Sequence, residues 1–90
     1  MRRLHAVVHG RVQGVGYRAS VNSRISKLDV TGYVKNLPDG TVEIVAEGAD
    51  SVLADVLLIA EEGSLYSSVK KIDTTYCLAE GTYGGFSIAH

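Results

Sequence analysis

The stretch VTGYVKNLPDGTVEIVAE, residues 30–47, predicts a β-hairpin. Within Thr41–Glu47 apolar and polar residues alternate, as in a strand that buries one face. The segment Leu37–Gly40 reads Leu-Pro-Asp-Gly, in which proline presets φ and Asp-Gly suits a tight turn. We therefore expect two antiparallel strands, Val30–Asn36 and Thr41–Glu47, joined by this turn.

A strand and a helix are predicted on the N-terminal side of the hairpin. Leu4–His9 alternates between apolar and polar positions, which indicates a strand with one apolar face. Three glycines then interrupt the chain within Gly10–Gly16. Tyr17–Leu28 returns to helical spacing, because its apolar residues fall on one helical face; they are Tyr17, Val21, Ile25 and Leu28.

The C-terminal half repeats the order of helix and strand. A second helix is predicted to begin near Asp50 or Ser51, either of which could cap it by accepting a backbone N–H, and Gly63 is placed to close it. Its expected buried residues are Leu53, Val56, Leu57 and Ala60. Alternation through Ile72–Leu78 predicts a fourth strand, and the apolar Phe86 and Ile88 followed by His90 suggest a short fifth one.

These elements predict an α/β sandwich with a ferredoxin-like βαββαβ order and a short additional strand. Both helices should cover one face of a single, mostly antiparallel sheet. A right-handed crossover makes the first and second strands parallel, so the third strand should lie between them. A length of 90 residues suits one domain over residues 1–90.

Composition bounds the partners of this domain. The formal net charge is -1, so no overall attraction to nucleic acid or to an anionic membrane is expected. Cys77 is the single cysteine, and no Cys/His pair has the spacing of a zinc site. With no apolar stretch long enough for a signal peptide or a membrane span, we expect a monomeric, cytoplasmic protein without metal or cofactor.

The loop GRVQGVGYR, residues 10–18, is the strongest candidate for a binding site. It leads from a strand into a helix, where free N–H groups and the helix dipole favour an anion such as phosphate. Arg18 would stand in the first helical turn, where a cation alone is unfavourable, and its guanidinium could bind phosphate oxygens in bidentate fashion. The alternative is that the glycines only form a tight turn. The loop is neither a Walker A motif nor a dinucleotide fingerprint.

Asn36 is the second candidate, at the end of the second strand. Taken alone, its most common role in front of a Pro-Asp-Gly turn would be to cap that turn. The predicted topology places it at the same sheet edge as the loop after His9, two strand spacings away, on the order of 10 Å. An amide there could hold a nucleophilic water in place.

Two segments resemble the signatures of one known family. GRVQGVGYR, residues 10–18, resembles the first signature of acylphosphatases, and GYVKNLPDGTV, residues 32–42, followed through Glu47-Gly48, resembles the second. The motifs occur in the right order, and the resemblance covers nearly the whole chain. It implies the ferredoxin-like fold and hydrolysis of a small-molecule acyl phosphate, a carboxyl–phosphate anhydride, to a carboxylate and inorganic phosphate.

The resemblance also implies roles for individual residues. Arg18 would bind the phosphate and Asn36 would position the attacking water, while inorganic phosphate would bind as product or inhibitor. The phosphate would also be bound by backbone N–H groups of the loop residues Val12, Gln13, Gly14, Val15, Gly16 and Tyr17. Because the sequence offers no convincing general base, we expect the substrate's own phosphate to take the proton of the water.

The chain departs from the family pattern in three places, of which Tyr33, where tryptophan is common, is a mild change. Tyr17 stands where phenylalanine is usual, so its hydroxyl needs water or a partner. The segment Ser64–Ser68 replaces a stretch that often carries proline and alanine. These changes bear on stability and substrate fit more than on the chemistry.

Three other functions share this order of elements. An RNA-binding platform needs exposed aromatic residues on its central strands, and the first and third strands offer few. A regulatory domain would bind its ligand between subunits and leave Arg18 without a role. A carbamoyl-phosphate-handling unit would belong to a larger maturation protein, and the length of 90 residues favours a free-standing enzyme instead.

Overall fold

The computed structural model describes every residue from Met1 to His90. It contains seven elements in the order β1 (Arg2–Arg11), α1 (Tyr17–Ile25), β2 (Thr31–Asn36), β3 (Val42–Gly48), α2 (Asp50–Glu62), β4 (Ser68–Leu78) and β5 (Phe86–Ala89). This order confirms the predicted βαββαβ pattern with a short fifth strand. Neither helix is long and apolar enough to cross a membrane.

The five strands form one sheet in the order β4-β1-β3-β2-β5. β3 pairs antiparallel with both β1 and β2, so it lies between them as predicted and leaves β1 and β2 parallel to each other. β4 pairs antiparallel with β1, whereas β5 pairs parallel with β2. The loop after β1 and the C-terminal ends of β2 and β5 therefore meet at the same edge of the sheet.

Both helices contribute to one core on one face of this sheet. β1 buries Leu4, Ala6 and Val8, and β3 buries Val42, Ile44 and Ala46, since alternate residues of a strand share a face. The helices add Tyr17, Val21, Ile25, Leu53, Val56, Ile59 and Ala60. Leu57, predicted to be buried, is only partly buried, and Ile59 takes its place in the core.

Element boundaries differ from the sequence predictions where tertiary pairing extends or shortens an element. β1 and β4 are both longer than predicted because they pair with each other from Arg2–Leu78 to Arg11–Ser68. The pairing shifts register between His9 and Gly10. Gly10 has φ 127°, and a Cβ there would meet the carbonyl oxygen of Ser68 at 2.2 Å, so the irregular pairing requires glycine.

The ends of the helices also correct the sequence predictions. α1 ends at Ile25 rather than Leu28, because the N–H groups of Lys27 and Leu28 bond three residues back and tighten the last turn. The prediction that Asp50 or Ser51 caps α2 is wrong: Ala49 is the N-cap residue and no side chain caps it. Asp50 instead accepts a hydrogen bond from Arg2 Nε at 2.9 Å. Gly63 closes the helix, as predicted.

Candidate active site

A concave pocket lies at the sheet edge where β1, β2 and β5 converge. Its volume is about 270 Å³. The residues that line it are Val12, Gly14, Gly16, Tyr17, Arg18, Ala19, Asn36, Ile88 and His90. The fold thus brings the two main candidates, Arg18 and Asn36, to one pocket from separate elements.

The floor of the pocket is the start of α1. Gly16 is its N-cap residue in a left-handed conformation, with φ 77°, and no side chain bonds to the free N–H groups of the first turn. No acidic residue stands in that turn either. A Cβ placed on Gly14 or Gly16 would meet nothing within 4 Å, so a ligand can approach the backbone closely. A helix start of this kind attracts an anion.

Arg18 stands in the first turn of α1 without a carboxylate partner. Its one hydrogen bond within the protein is long, 3.5 Å from Nη1 to the carbonyl oxygen of Ala89. By contrast, Arg2, Arg3 and Arg24 each form an ion pair with an acidic side chain. A guanidinium carries five N–H donors, so most of those of Arg18 are available to a ligand.

Asn36 ends β2, where it pairs with Val42 of β3. Its Oδ1 atom is enclosed and has no hydrogen-bond partner in the protein. The turn that follows is capped by another residue, because Asp39 Oδ1 accepts hydrogen bonds from the backbone N–H of Thr41 at 3.0 Å and from its hydroxyl at 2.5 Å. These two bonds, the hydroxyl first, lower the pKa of Asp39. Asn36 is therefore not used as the cap of the turn.

Two loop residues predicted at the phosphate site direct their side chains elsewhere. Gln13 Nε2 donates hydrogen bonds to the carbonyl oxygens of Leu37 and Thr41, each at 2.8 Å, and thereby ties the loop to the hairpin that carries Asn36. The side chain of Val15 packs against the core, and its carbonyl accepts a hydrogen bond from Ser64 Oγ at 2.8 Å. Neither residue lines the pocket, so only their backbone N–H groups remain candidates for binding phosphate.

Tyr17 has the partner that its hydroxyl requires. The Oη atom donates a hydrogen bond of 2.8 Å to the carbonyl oxygen of Ala60, in the last turn of α2. Burial raises the pKa of Tyr17 well above its ordinary value, so the phenol stays protonated and keeps donating. The tyrosine therefore links the start of α1 to the end of α2, where free carbonyl groups need donors.

His90 is a pocket residue that sequence reasoning missed. His90 is exposed and also lines the pocket, because β5 runs parallel to β2 and carries the chain there. The alternation of Phe86, Ile88 and His90 was visible in the sequence. The sequence did not show that β5 would pair with β2.

The polar groups on the open face of the sheet are engaged with one another. Glu43 accepts a hydrogen bond from the hydroxyl of Tyr33 at 2.8 Å, and His5 Nε2 lies 2.7 Å from the other oxygen of Glu43. The ring of Tyr33 packs edge-on against Tyr83. No group of three or more His, Cys, Asp or Glu side chains is arranged to hold a metal ion. The prediction of a reaction without metal stays a prediction.

Comparison with known proteins gives one consistent result. A family model described as Acylphosphatase matches residues 4–88. An acylphosphatase of Methylococcus capsulatus is 44% identical over 98% of this chain and 96% of its own length. The crystal structure of an acylphosphatase from Bacillus subtilis superposes with a TM-score of 0.94, at 38% identity, with full coverage of both chains. Full-length HypF, whose crystal structure holds phosphate and nucleotide, matches with a TM-score of 0.84 and 26% identity, but only over 12% of its chain.

Proposed function

This chain belongs to the acylphosphatase family, and we propose that it hydrolyses acyl phosphates in the pocket between α1 and the C-terminal end of β2. The products are a carboxylate and inorganic phosphate. One observation carries the assignment of residues: an unpaired guanidinium, a free helix N-terminus and an amide oxygen without a partner share one pocket. Each group alone has a structural explanation, but the three together fit a phosphoryl group and a water.

Arg18 and the loop hold the phosphoryl group. A Cβ on Gly14 or Gly16 would meet no atom within 4 Å, so phosphate oxygens can approach the backbone N–H groups of the loop from Val12 to Tyr17. The guanidinium of Arg18 adds a formal positive charge and a pair of parallel donors. Charge on the phosphoryl oxygens in the transition state is stabilised by these preorganised donors.

Asn36 holds the attacking water. Its enclosed Oδ1 atom lacks a protein donor, and a water in the pocket can supply one. Gln13 fixes the distance between this amide and the phosphate loop, since it bonds Leu37, the neighbour of Asn36, from within the loop. The pocket thus places nucleophile and phosphorus in one geometry before the reaction starts, which is a large part of what phosphoryl transfer needs.

The chemistry of the substrate makes few further demands. A carboxylate is a good leaving group, so its departure requires little acid catalysis. The bond from water oxygen to phosphorus forms as the bond from phosphorus to acyl oxygen breaks, and the carboxylate leaves with the electron pair. We propose that the reaction needs no metal, with Arg18 and the backbone donors stabilising the charge.

Hydrolysis of benzoyl phosphate, followed by loss of its ultraviolet absorbance, tests this proposal. With a chelator such as EDTA present, the purified protein should turn over the substrate at an undiminished rate, and inorganic phosphate should inhibit competitively. No hydrolysis by the folded protein would overturn the proposed reaction. Activity lost in chelator and restored by a divalent cation would overturn the metal-independent mechanism alone.

We propose that the physiological substrate is a small acyl phosphate and that the enzyme works as a cytoplasmic monomer, independent of nucleic acid and membrane. Sedimentation at working concentration tests whether the enzyme is a monomer, and fractionation of cells tests its cytoplasmic location. A dimer in solution or a membrane-bound pool would contradict them.

A further inference from the structure

His90 lies next to Asn36 at the rim of the pocket. β2 and β5 are paired in parallel register from Gly32–Phe86 to Lys35–Ala89, so the next positions along the two strands are Asn36 and His90. Paired strands are about 4.8 Å apart. Alternation places His90 on the same face as Ile88, which lines the pocket, and Asn36 on the same face as the buried Val34. The imidazole and the amide therefore approach the pocket from the same side.

The geometry of the reaction determines whether the water or the leaving group lies on the side of the pocket that carries Asn36 and His90. In an in-line displacement the attacking water and the departing carboxylate stand on opposite sides of the phosphorus. If Asn36 holds the water, as proposed above, a residue beside Asn36 is on the side of the water and away from the leaving group. His90 is therefore placed to contact the nucleophile, whereas Arg18, which reaches from α1 toward the carbonyl oxygen of Ala89, contacts the phosphoryl oxygens.

A water molecule has two hydrogens to place in this site. The enclosed Oδ1 of Asn36 accepts one of them, and a neutral imidazole nitrogen of His90 can accept the other. With both hydrogens held by acceptors, an oxygen lone pair of the water is left to face the phosphorus. Arg18 and His90 are the ionisable side chains that line the pocket, together with the tyrosine whose hydroxyl bonds Ala60. No aspartate or glutamate side chain lines it.

We propose that His90 is the general base of the reaction, an inference that rests on the proposed function. As the water oxygen bonds to phosphorus and the bond from phosphorus to acyl oxygen breaks, one water proton passes to His90. The acyl group leaves as a carboxylate, and the remaining hydroxyl becomes part of inorganic phosphate. The imidazolium then returns its proton to solvent at the open rim, where His90 is exposed. The histidine thus replaces the substrate phosphate as first proton acceptor.

Arg18 faces the pocket from α1, with its Nη1 atom 3.5 Å from the carbonyl oxygen of Ala89, the residue before His90, while Asn36 and Ile88 on the neighbouring positions are neutral. Imidazole changes protonation between about pH 5 and 8, and only the neutral form accepts a proton. With benzoyl phosphate as substrate, kcat of the protein should therefore rise as the pH increases through this range.

The test compares the pH profiles of kcat for the unaltered protein, His90→Ala and His90→Gln. Both variants should lose the rising limb and at least tenfold of kcat at pH 8, with an unchanged inhibition constant for inorganic phosphate. Glutamine is the informative replacement, because it keeps a hydrogen-bond acceptor but cannot take a proton. Thermal unfolding of each variant checks that this exposed position does not affect the fold.

Each alternative role gives a different result. Full activity in His90→Ala overturns the proposal, and full rescue by His90→Gln shows that the histidine only orients the water. A weaker inhibition by phosphate with kcat unchanged would make it an anion-binding residue. The proposed function fails separately: the reaction is overturned when the folded, unaltered protein does not hydrolyse benzoyl phosphate, and the role of Arg18 is overturned when Arg18→Ala keeps full activity, whatever the His90 variants show.

Discussion

At one end of the β2–β3 ladder Asn36 pairs with Val42, and at the other end Thr31 pairs with Glu47. Polar groups at the first end are short of partners: Asn36 Oδ1 has none, and Arg18 has one long hydrogen bond. At the second end, by contrast, the carboxylate of Glu47 has several hydrogen-bond partners. Glu47 is buried and accepts hydrogen bonds from Arg3 at 2.7 Å and from the backbone N–H groups of Glu80 and Gly81 at 3.0 Å.

The two ends show how one small domain divides its polar groups between folding and binding. We call the group of Arg3, Glu47, Glu80 and Gly81 the Glu47 cluster; it fixes the connection between β4 and β5 to the sheet. Its hydrogen bonds, that from the Glu80 N–H first, lower the pKa of Glu47. Unpaired polar groups such as those at the pocket cost stability, which is acceptable where a ligand completes them.

Comparing alanine variants of Arg18, at the pocket, and Arg3, in the Glu47 cluster, gives the largest expected effect. Arg18→Ala should lower kcat/KM for benzoyl phosphate by about a thousandfold, since it removes the formal charge that faces the phosphoryl group. Its melting temperature should hardly change, because the side chain makes one long contact. Arg3→Ala is the matched control: its melting temperature should fall while kcat stays near that of the unaltered protein. Equal loss of activity in both variants would contradict the division.

The two asparagines whose buried oxygen lacks a partner provide the next comparison. Asn36→Ala should lower kcat about a hundredfold, because the water is no longer positioned, while inorganic phosphate still binds. Asn22 on α1 has the same buried oxygen without a partner but does not line the pocket. Asn22→Ala should therefore leave kcat unchanged. If both substitutions had the same effect on kcat, the missing partner of Asn36 would carry no catalytic meaning.

Glu47→Gln tests how much the Glu47 cluster contributes to the stability of the fold. The substitution removes the charge that strengthens hydrogen bonds to Arg3 and to two backbone N–H groups, so we expect a loss of about 2 kcal/mol in the free energy of unfolding. Urea denaturation measures it, and kcat below the transition should be preserved. A fully stable variant would show that the cluster does not hold the β4–β5 connection.

The pH dependence of stability tests whether the charge of Glu47 is responsible for this contribution. The folded-state pKa of Glu47 is lowered, so its stabilising effect is complete above the unfolded value, about 4.3, and is lost as the pH falls through the folded value. The stability difference between the protein and Glu47→Gln should therefore be large at pH 7 and shrink below about pH 4. A difference that stays constant with pH would assign the effect to packing rather than charge.

Tyr17→Phe should give the smallest effect on stability. Tyr17 lines the pocket but its hydroxyl has a partner within the protein. The hydroxyl donates to Ala60, and its loss leaves that carbonyl at the end of α2 without this donor. We expect a decrease of about 1 kcal/mol in the free energy of unfolding, measured in urea. A more stable phenylalanine variant would mean that burying the hydroxyl costs more than its hydrogen bond returns.

Local patterns predicted the parts of the site that depend on order along the chain. The strand–glycine loop–helix sequence placed Arg18, and the crossover and hairpin rules placed Asn36 at the same edge. Side-chain contacts across the fold were not predictable in this way. The bond from Gln13 to Leu37, the partners of Glu47 in the Glu80–Gly81 connection, and the position of His90 all depend on how separate segments dock.

β5 closes the pocket, and this has a consequence for the order of folding. Residues that line the pocket come from 12–19, from Asn36 and from 88–90, and Arg18 contacts Ala89 across a sequence separation of 71 residues. Such distant pairings form late, since the chain loses much entropy in closing them. A partly folded chain with β5 undocked would contain a hydrophobic core but no complete pocket. Regain of activity during refolding should therefore lag behind burial of the core and report the docking of the final strand.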